Sequence, residues 1–130
     1  QNSYPEEAIH GAQVFYYEDS SEGKKLAEIL QKHLVEVLDK ENHRQAKGNR
    51  TYYMLKKTEA TLVIVECGFL SNNQEALLLT DEKYQNKVAK AICSGTLEYL
   101  SSLAEKSEIK KSQEPEKSCD KFTLAHRTLL

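Results

Sequence analysis

The sequence has no apolar run long enough to cross a membrane and no excess of charge of one sign. A spanning helix needs about 18 or more consecutive apolar residues, and the first residues also lack the basic-then-apolar pattern of a secretory signal. The 18 basic and 20 acidic residues leave a formal net charge of −2. This balance argues against recognition of nucleic acid or anionic lipid by overall charge. A partner must therefore bind at a specific site.

Cysteines are few and widely separated, at positions 67, 93 and 119. Their spacing matches neither a CxxC motif nor a Cys/His zinc motif, so we expect free thiols that behave as small apolar side chains. A starting methionine is also lacking, and we expect the chain to be a piece of a longer protein. Its 130 residues are enough for one domain and too few for two.

The pattern of apolar residues predicts three strands and two helices. Residues 11–17, 51–55 and 61–66 are typical of strands. A helix begins after a cap at Ser20 or Ser21 and carries apolar residues at helical spacing as far as Leu38. A second helix begins after Thr80 or Asp81 and fades near Leu103, and the polar stretch 40–50 is a surface loop.

This order, strand-helix-strand-strand-helix, predicts an α/β fold with a partial mixed or parallel sheet and helices packed on it. Residues 62–65 are continuously apolar, which favours a strand buried on both faces as in a parallel sheet. Such a strand needs more neighbours than this inventory offers, so we expect further strands upstream. Residues 1–103 then form the C-terminal portion of a domain, and the polar residues 104–130 form a disordered tail.

Glu66 is the strongest candidate for chemistry. It follows the buried strand at the sheet edge where α/β proteins bind ligands, and Gly68 allows a sharp turn behind it. Partial desolvation near Val65 and Phe69 would suit the carboxylate to general acid or base work. The alternative is a strand-end carboxylate paired with a nearby Lys or Arg.

The run from 64 to 72, Ile-Val-Glu-Cys-Gly-Phe-Leu-Ser-Asn, resembles the C-terminal signature of the N-acetylmuramoyl-L-alanine amidase 3 family. Other stretches resemble the family in the same order. The first three residues are similar to the end of its Ser-x-His-x-Asn segment, residues 11–17 to its Gly-x-x-x-Tyr-Tyr strand, and residues 21–38 to its Ser-x-x-Leu-Ala helix. Arg44 and residues 52–55 resemble its Arg and Tyr-x-Leu elements. The resemblance covers about residues 1–100 and is greatest to the spore-cortex amidases.

The resemblance implies a zinc-dependent hydrolase of peptidoglycan. In such enzymes zinc (Zn²⁺), held by two His and one Glu, activates a water, and the signature glutamate transfers protons while the amide between N-acetylmuramic acid and L-alanine is cleaved. Glu66 matches that glutamate. The family's metal ligands lie upstream of Gln1, so we expect no metal ligand in this chain, and an isolated His10 does not replace them.

Arg44 is a candidate for holding a carboxylate of the substrate peptide through two parallel hydrogen bonds, the alternative being a solvated loop arginine. Asn72 and Asn73 are expected to fix the turn after Glu66 through bonds to the backbone. As it stands, the chain is expected to be a monomer without turnover, belonging to an extracytoplasmic enzyme of the bacterial cell wall or spore envelope. A non-catalytic wall-binding or regulatory module and an unrelated cytoplasmic α/β binding domain are the rival hypotheses.

Overall fold

The computed structural model describes residues 6–113, which form three strands and four helices. In chain order these are β1 (Gln13–Tyr17), α1 (Ser21–Leu38), β2 (Lys47–Asn49), α2 (Tyr53–Lys57), β3 (Val63–Glu66), α3 (Asn73–Thr80) and α4 (Glu82–Gln113). None of the helices in this range has both the length and the apolar character needed to cross a membrane.

The sheet is mixed, with β1 at its centre between β2 and β3. β1 runs parallel to β2 and antiparallel to β3, and Gln13 lies opposite Glu66 in the second pairing. The predicted α/β class with a mixed sheet is therefore confirmed. The strands predicted at 11–17 and 61–66 are also present, each beginning two residues later than expected.

Helix α1 covers one face of the sheet and starts where its cap predicts. The Ser20 hydroxyl accepts a hydrogen bond from the Gly23 amide at 3.0 Å, which satisfies one of the unpaired donors of the first turn. Leu30 and Leu34 on its apolar face are buried against Val14 of β1 and Ala91 of α4. Val63 and Val65 of β3 pack against the same cluster, so α1 and α4 lie on one side of the sheet.

Two side chains form hydrogen bonds with the backbone of residues 12–14, ahead of the point where β2 begins to pair with β1. The Gln31 side-chain oxygen accepts from the Val14 amide at 2.8 Å, and its Nε2 donates to the Ala12 carbonyl at 3.0 Å. Asn42 Nδ2 donates to the same carbonyl at 2.9 Å. Both polar side chains are buried, and they satisfy backbone groups that would otherwise lose a partner away from water.

The strand predicted at 51–55 is wrong, because the chain there enters the short helix α2. The side-chain oxygen of Asn49 accepts from the amides of Thr51 and Tyr52, which turns the backbone before the helix begins. The third strand is instead β2, which is three residues long and lies within the stretch 40–50 that was predicted as a loop. Its pairing with β1 is made by the backbone and needs no apolar side chains.

Strand β3 is half-buried along its length rather than buried on both faces, and it is antiparallel to its partner. The prediction of a fully buried parallel strand was therefore wrong. Among the strands of residues 6–113, β3 pairs only with β1 and forms one edge of the sheet. The face bearing Ile64 and Glu66 points away from α1 and α4, since side chains alternate along a strand.

Helix α4 continues to Gln113 instead of ending near Leu103. The extension is composed largely of good helix formers such as Lys and Glu, and Lys106 lies 3.6 Å from the Glu22 carboxylate of α1. The predicted tail therefore overlaps the helix over residues 104–113, and its remainder, with Cys119 and His126, lies outside the described residues.

Candidate active site

Glu66 ends β3 on the face of the sheet that α1 and α4 leave uncovered. Its neighbour across the pairing is Gln13, and directly opposed residues of an antiparallel pair have Cβ atoms about 4.5–5.5 Å apart on the same face. Glu66 is half-buried. The carboxylate is thus held on a strand, beside a polar neighbour, at a partly exposed position.

Arg44 is bound to the fold beside this pair. Its Nε donates to the His10 carbonyl at 2.8 Å and its Nη1 donates to the Gln13 side-chain oxygen at 2.9 Å. The guanidinium also lies over the Phe69 ring, 4.9 Å from its centroid, a distance typical of a cation–π contact. Arg44 is therefore attached to the fold by these contacts, and its proposed role in holding a substrate carboxylate stays a prediction.

The loop after Glu66 is shaped by a glycine and a carboxylate. Gly68 has a φ of +154°, and a Cβ there would lie 3.2–3.3 Å from the carboxylate of Glu75. That carboxylate accepts from the Phe69 amide through Oε2 and from the Gly11 amide through Oε1, each at 2.8 Å. A single side chain therefore joins the exit from β3 to the approach to β1.

Asn72 caps α3 immediately after this loop. Its side-chain oxygen accepts from the amides of Gln74 and Glu75 at 3.1 and 3.0 Å, and its Nδ2 donates to the Glu7 carbonyl at 2.9 Å. The expected side-chain bonds to the backbone are confirmed for Asn72. Asn73 donates instead to the Glu7 carboxylate, so the prediction for that residue is wrong.

Two ionisable side chains near Glu75, Cys67 and Tyr84, are partly buried. Burial raises the pKa of the Cys67 thiol. Burial also raises the pKa of Tyr84, to which the nearby Glu75 carboxylate adds a smaller contribution. Both shifts have the direction expected when the charged form of an acid loses hydration.

A family model described as N-acetylmuramoyl-L-alanine amidase matches residues 1–98, which include this whole site. The chain belongs to the N-acetylmuramoyl-L-alanine amidase family. The resemblance read from the residues around Glu66 is confirmed by this match.

Individual amidases agree with the family match. The germination-specific N-acetylmuramoyl-L-alanine amidase of Bacillus subtilis (strain 168) is 38% identical over 99 residues, which are 76% of this chain and 41% of that protein. The CwlD amidase of Clostridioides difficile, solved in complex with the GerS lipoprotein, is 44% identical with a TM-score of 0.75 over 77% of this chain and 51% of that chain. An N-acetylmuramoyl-L-alanine amidase of Clostridium difficile 630 is 28% identical with a TM-score of 0.71, over 78% and 54%. The chain therefore spans about half the length of these amidases.

Zinc is implied by the amidase family, and a zinc site needs three or four closely placed ligands. Among residues 6–113 no three His, Cys, Asp or Glu side chains are placed to hold a metal ion. His33 instead contacts the Glu98 carboxylate at 2.7 Å. The residues from 6 to 113 thus do not fit a zinc site by themselves.

The contacts of Gln13 and Glu75 near Glu66 were not predicted from the sequence. Gln13 was read only as part of a strand, and its role as the partner of Arg44 depends on the fold. Glu75 had a detectable signal, because an Asn followed three residues later by a Glu is close to the capping-box pattern at a helix start. That spacing would have indicated α3, which was not predicted, with Glu75 in its first turn.

Proposed function

We propose that this chain supplies the proton-transferring carboxylate, Glu66, of an amidase that cleaves the bond between N-acetylmuramic acid and L-alanine in peptidoglycan. The observation that carries the proposal is the position of Glu66 at the end of β3, on the uncovered sheet face. Membership of the amidase family supports it.

Amide hydrolysis requires two proton transfers that one carboxylate can perform. Water must lose a proton as its oxygen attacks the amide carbon, and the leaving nitrogen must gain one as the C–N bond breaks. The products are a carboxylic acid on the muramic acid side and a free amine on L-alanine. Glu66 would accept the first proton and deliver it to the nitrogen, so its carboxylate is regenerated in each cycle.

Arg44 would hold a carboxylate of the peptide. A guanidinium has five N–H donors, and the bonds to His10 and Gln13 use one donor each from Nε and Nη1. The remaining donors suffice for a bidentate pair with a carboxylate. Because Arg44 contacts Gln13, the neighbour of Glu66, such a contact would hold the peptide close to the proton-transferring group.

The proposed place of action is outside the cytoplasm, at the cell wall or spore envelope, where the substrate lies. The name of the germination-specific relative supports this location. Because the chain spans about half of its relatives, zinc and its ligands would have to come from other residues than those described here.

The test uses the 130-residue chain and a chimera in which residues 1–98 replace the matching segment of the Bacillus subtilis relative. With zinc and muropeptides, we expect no turnover from the chain alone and release of peptides bearing N-terminal L-alanine from the chimera. Glu66→Gln in the chimera should lower kcat by about 100-fold or more, the usual contribution of a general acid–base group.

The matched control is Glu59→Gln, which changes an exposed glutamate before β3 and should leave kcat unchanged. A folded, zinc-loaded chimera with no activity would contradict the proposal and favour a non-catalytic module. Retention of kcat in the Glu66→Gln variant would refute the role of Glu66.

A further inference from the structure

We infer that Glu75 is a positioning residue that holds the loop after Glu66 (residues 67–69) at a fixed distance from the segment preceding β1. The effect of Glu75 on catalysis rests on the proposed function, whereas its hydrogen bonding to two chain segments does not. Glu75 lies in the first turn of α3 and is half-buried.

The Glu75 carboxylate accepts two hydrogen bonds from backbone amides. Oε1 binds the Gly11 amide and Oε2 binds the Phe69 amide, both at 2.8 Å. The two donors are far apart in sequence, so the carboxylate crosslinks two separate segments. Hydrogen bonds to an ionised acceptor are shorter and about twice as strong as neutral ones, so this link is among the stronger polar contacts of the site.

Both donor segments have glycines where the backbone must come close. Gly68, next to Phe69, has a φ of +154°, and a side chain there would press on the Glu75 carboxylate. Gly11 has a φ of +96°, and a Cβ would lie 2.6 Å from the side-chain oxygen of Asn42. Positive φ values favour glycine. Glycines at the two donor segments therefore permit the bridge.

Glu75 is itself oriented by its helix. The Asn72 side chain accepts from the Glu75 amide at 3.0 Å and is tied to the Glu7 carbonyl. A carboxylate in the first turn of a helix is stabilised by the helix dipole. The bridge therefore starts from a fixed backbone.

The consequence concerns Glu66, three residues before Phe69. Its own backbone is set by pairing with Gln13 of β1. Beyond Glu66 the chain is held at Phe69, whose amide donates to Glu75 and whose ring is buried beneath Arg44. Because a misplacement of about 1 Å at a reacting group can lower a rate by about 100-fold, loss of this anchor should reduce proton transfer without abolishing the fold.

The structural part is tested by amide hydrogen exchange on the 130-residue chain. Glu75→Gln replaces one of the two accepting oxygens with a donor, and Glu75→Asp keeps the charge but is one methylene too short to reach both amides. We expect exchange at Gly11, Phe69 or both to accelerate by roughly tenfold in each variant, as for the loss of one strong hydrogen bond. Glu82→Gln, an exposed change in the first turn of α4, is the matched control and should change neither amide.

The catalytic part is tested in the chimera with the same variants. We expect Glu75→Gln and Glu75→Asp to lower kcat by roughly 10- to 100-fold. The change in KM should be smaller, because it can arise only through Phe69, which lies against Arg44. A general loss of folding would instead lower the active fraction and the far-ultraviolet circular dichroism together.

The outcomes separate this inference from the proposed function. Unchanged protection of both amides in Glu75→Gln and Glu75→Asp overturns it, and so does a parental kcat in these variants when Glu66→Gln is inactive. If Glu66→Gln keeps its activity, the proposed function fails, whereas faster exchange at Gly11 and Phe69 would still support the bridge.

Discussion

Replacing Gln31 with leucine should destabilise the chain by about 2–4 kcal/mol, because this side chain bonds the backbone of β1 where the short strand β2 does not reach. Val14 is fully buried, and its amide donates to the Gln31 oxygen at 2.8 Å. A buried donor left without an acceptor costs about 1–3 kcal/mol. The Ala12 carbonyl loses one bond but keeps the one from Asn42, which limits that loss to about 1 kcal/mol.

Leucine has a similar volume to glutamine, so no large cavity should add to the cost. The assay is urea unfolding of the 130-residue chain at 25 °C followed by circular dichroism, with linear extrapolation to water. Lys32→Leu, an exposed change one residue along the same helix, is the control and should alter stability by less than about 0.5 kcal/mol. In the same samples, exchange of the Val14 amide should accelerate only in Gln31→Leu.

Equal stability losses for Gln31→Leu and Lys32→Leu would refute this reasoning, because they would show that the side-chain bonds to β1 contribute no net stability. Unchanged protection of Val14 in the Gln31→Leu protein would have the same meaning. A change in the urea m-value would indicate a different unfolded or native state rather than the loss of these bonds.

Two further predictions concern Arg44 and the cysteines. In the chimera, Arg44→Lys should raise KM by about tenfold, since lysine cannot form a bidentate pair with a carboxylate. The control Arg50→Lys alters an exposed partner of Glu18 and Asp19 and should leave KM unchanged. Equal effects of the two changes would argue against substrate binding by Arg44. Iodoacetamide at pH 8 should label the exposed Cys93 faster than Cys67, because burial raises the pKa of Cys67 and so lowers its reactive thiolate fraction at this pH. Peptide mass spectrometry measures the order of labelling, and faster labelling of Cys67 would contradict the prediction.

Local signals predicted the parts of the fold that local chemistry determines. The Ser20 cap and the apolar spacing up to Leu38 gave α1 its correct limits, and the Asp81 side chain accepts from the Tyr84 amide at 3.0 Å at the expected start of α4. In contrast, β2 is polar and pairs through its backbone alone, so no periodicity marks it. Residues 51–55 contain strand-favouring tyrosines, yet the Asn49 side chain accepts from the amides of Thr51 and Tyr52 and turns the chain into α2, so local side-chain hydrogen bonds override the strand propensity.

The sequence marked Glu66 as a candidate but did not indicate its neighbours in the fold. Glu66 stood out because it follows an apolar strand, precedes a glycine and matches the glutamate of the family signature. Arg44 and Gln13 meet only after the strands pair, and residues so far apart in sequence give no common pattern. Glu75 lay within reach of sequence reasoning through its spacing from Asn72, but its two amide donors are properties of the folded chain.

The central position of β1 has a consequence for the order of folding. Its antiparallel partner, β3, is synthesised only after α1, β2 and α2, and the apolar face of α1 is not covered until α4 follows. Pairing across such sequence separations carries a loop-closure cost that slows folding. Pairing of β3 with β1 is therefore expected to follow the packing of α1 on β1, and the face of α1 that bears Leu30 and Leu34 lacks its second partner until α4 has been made.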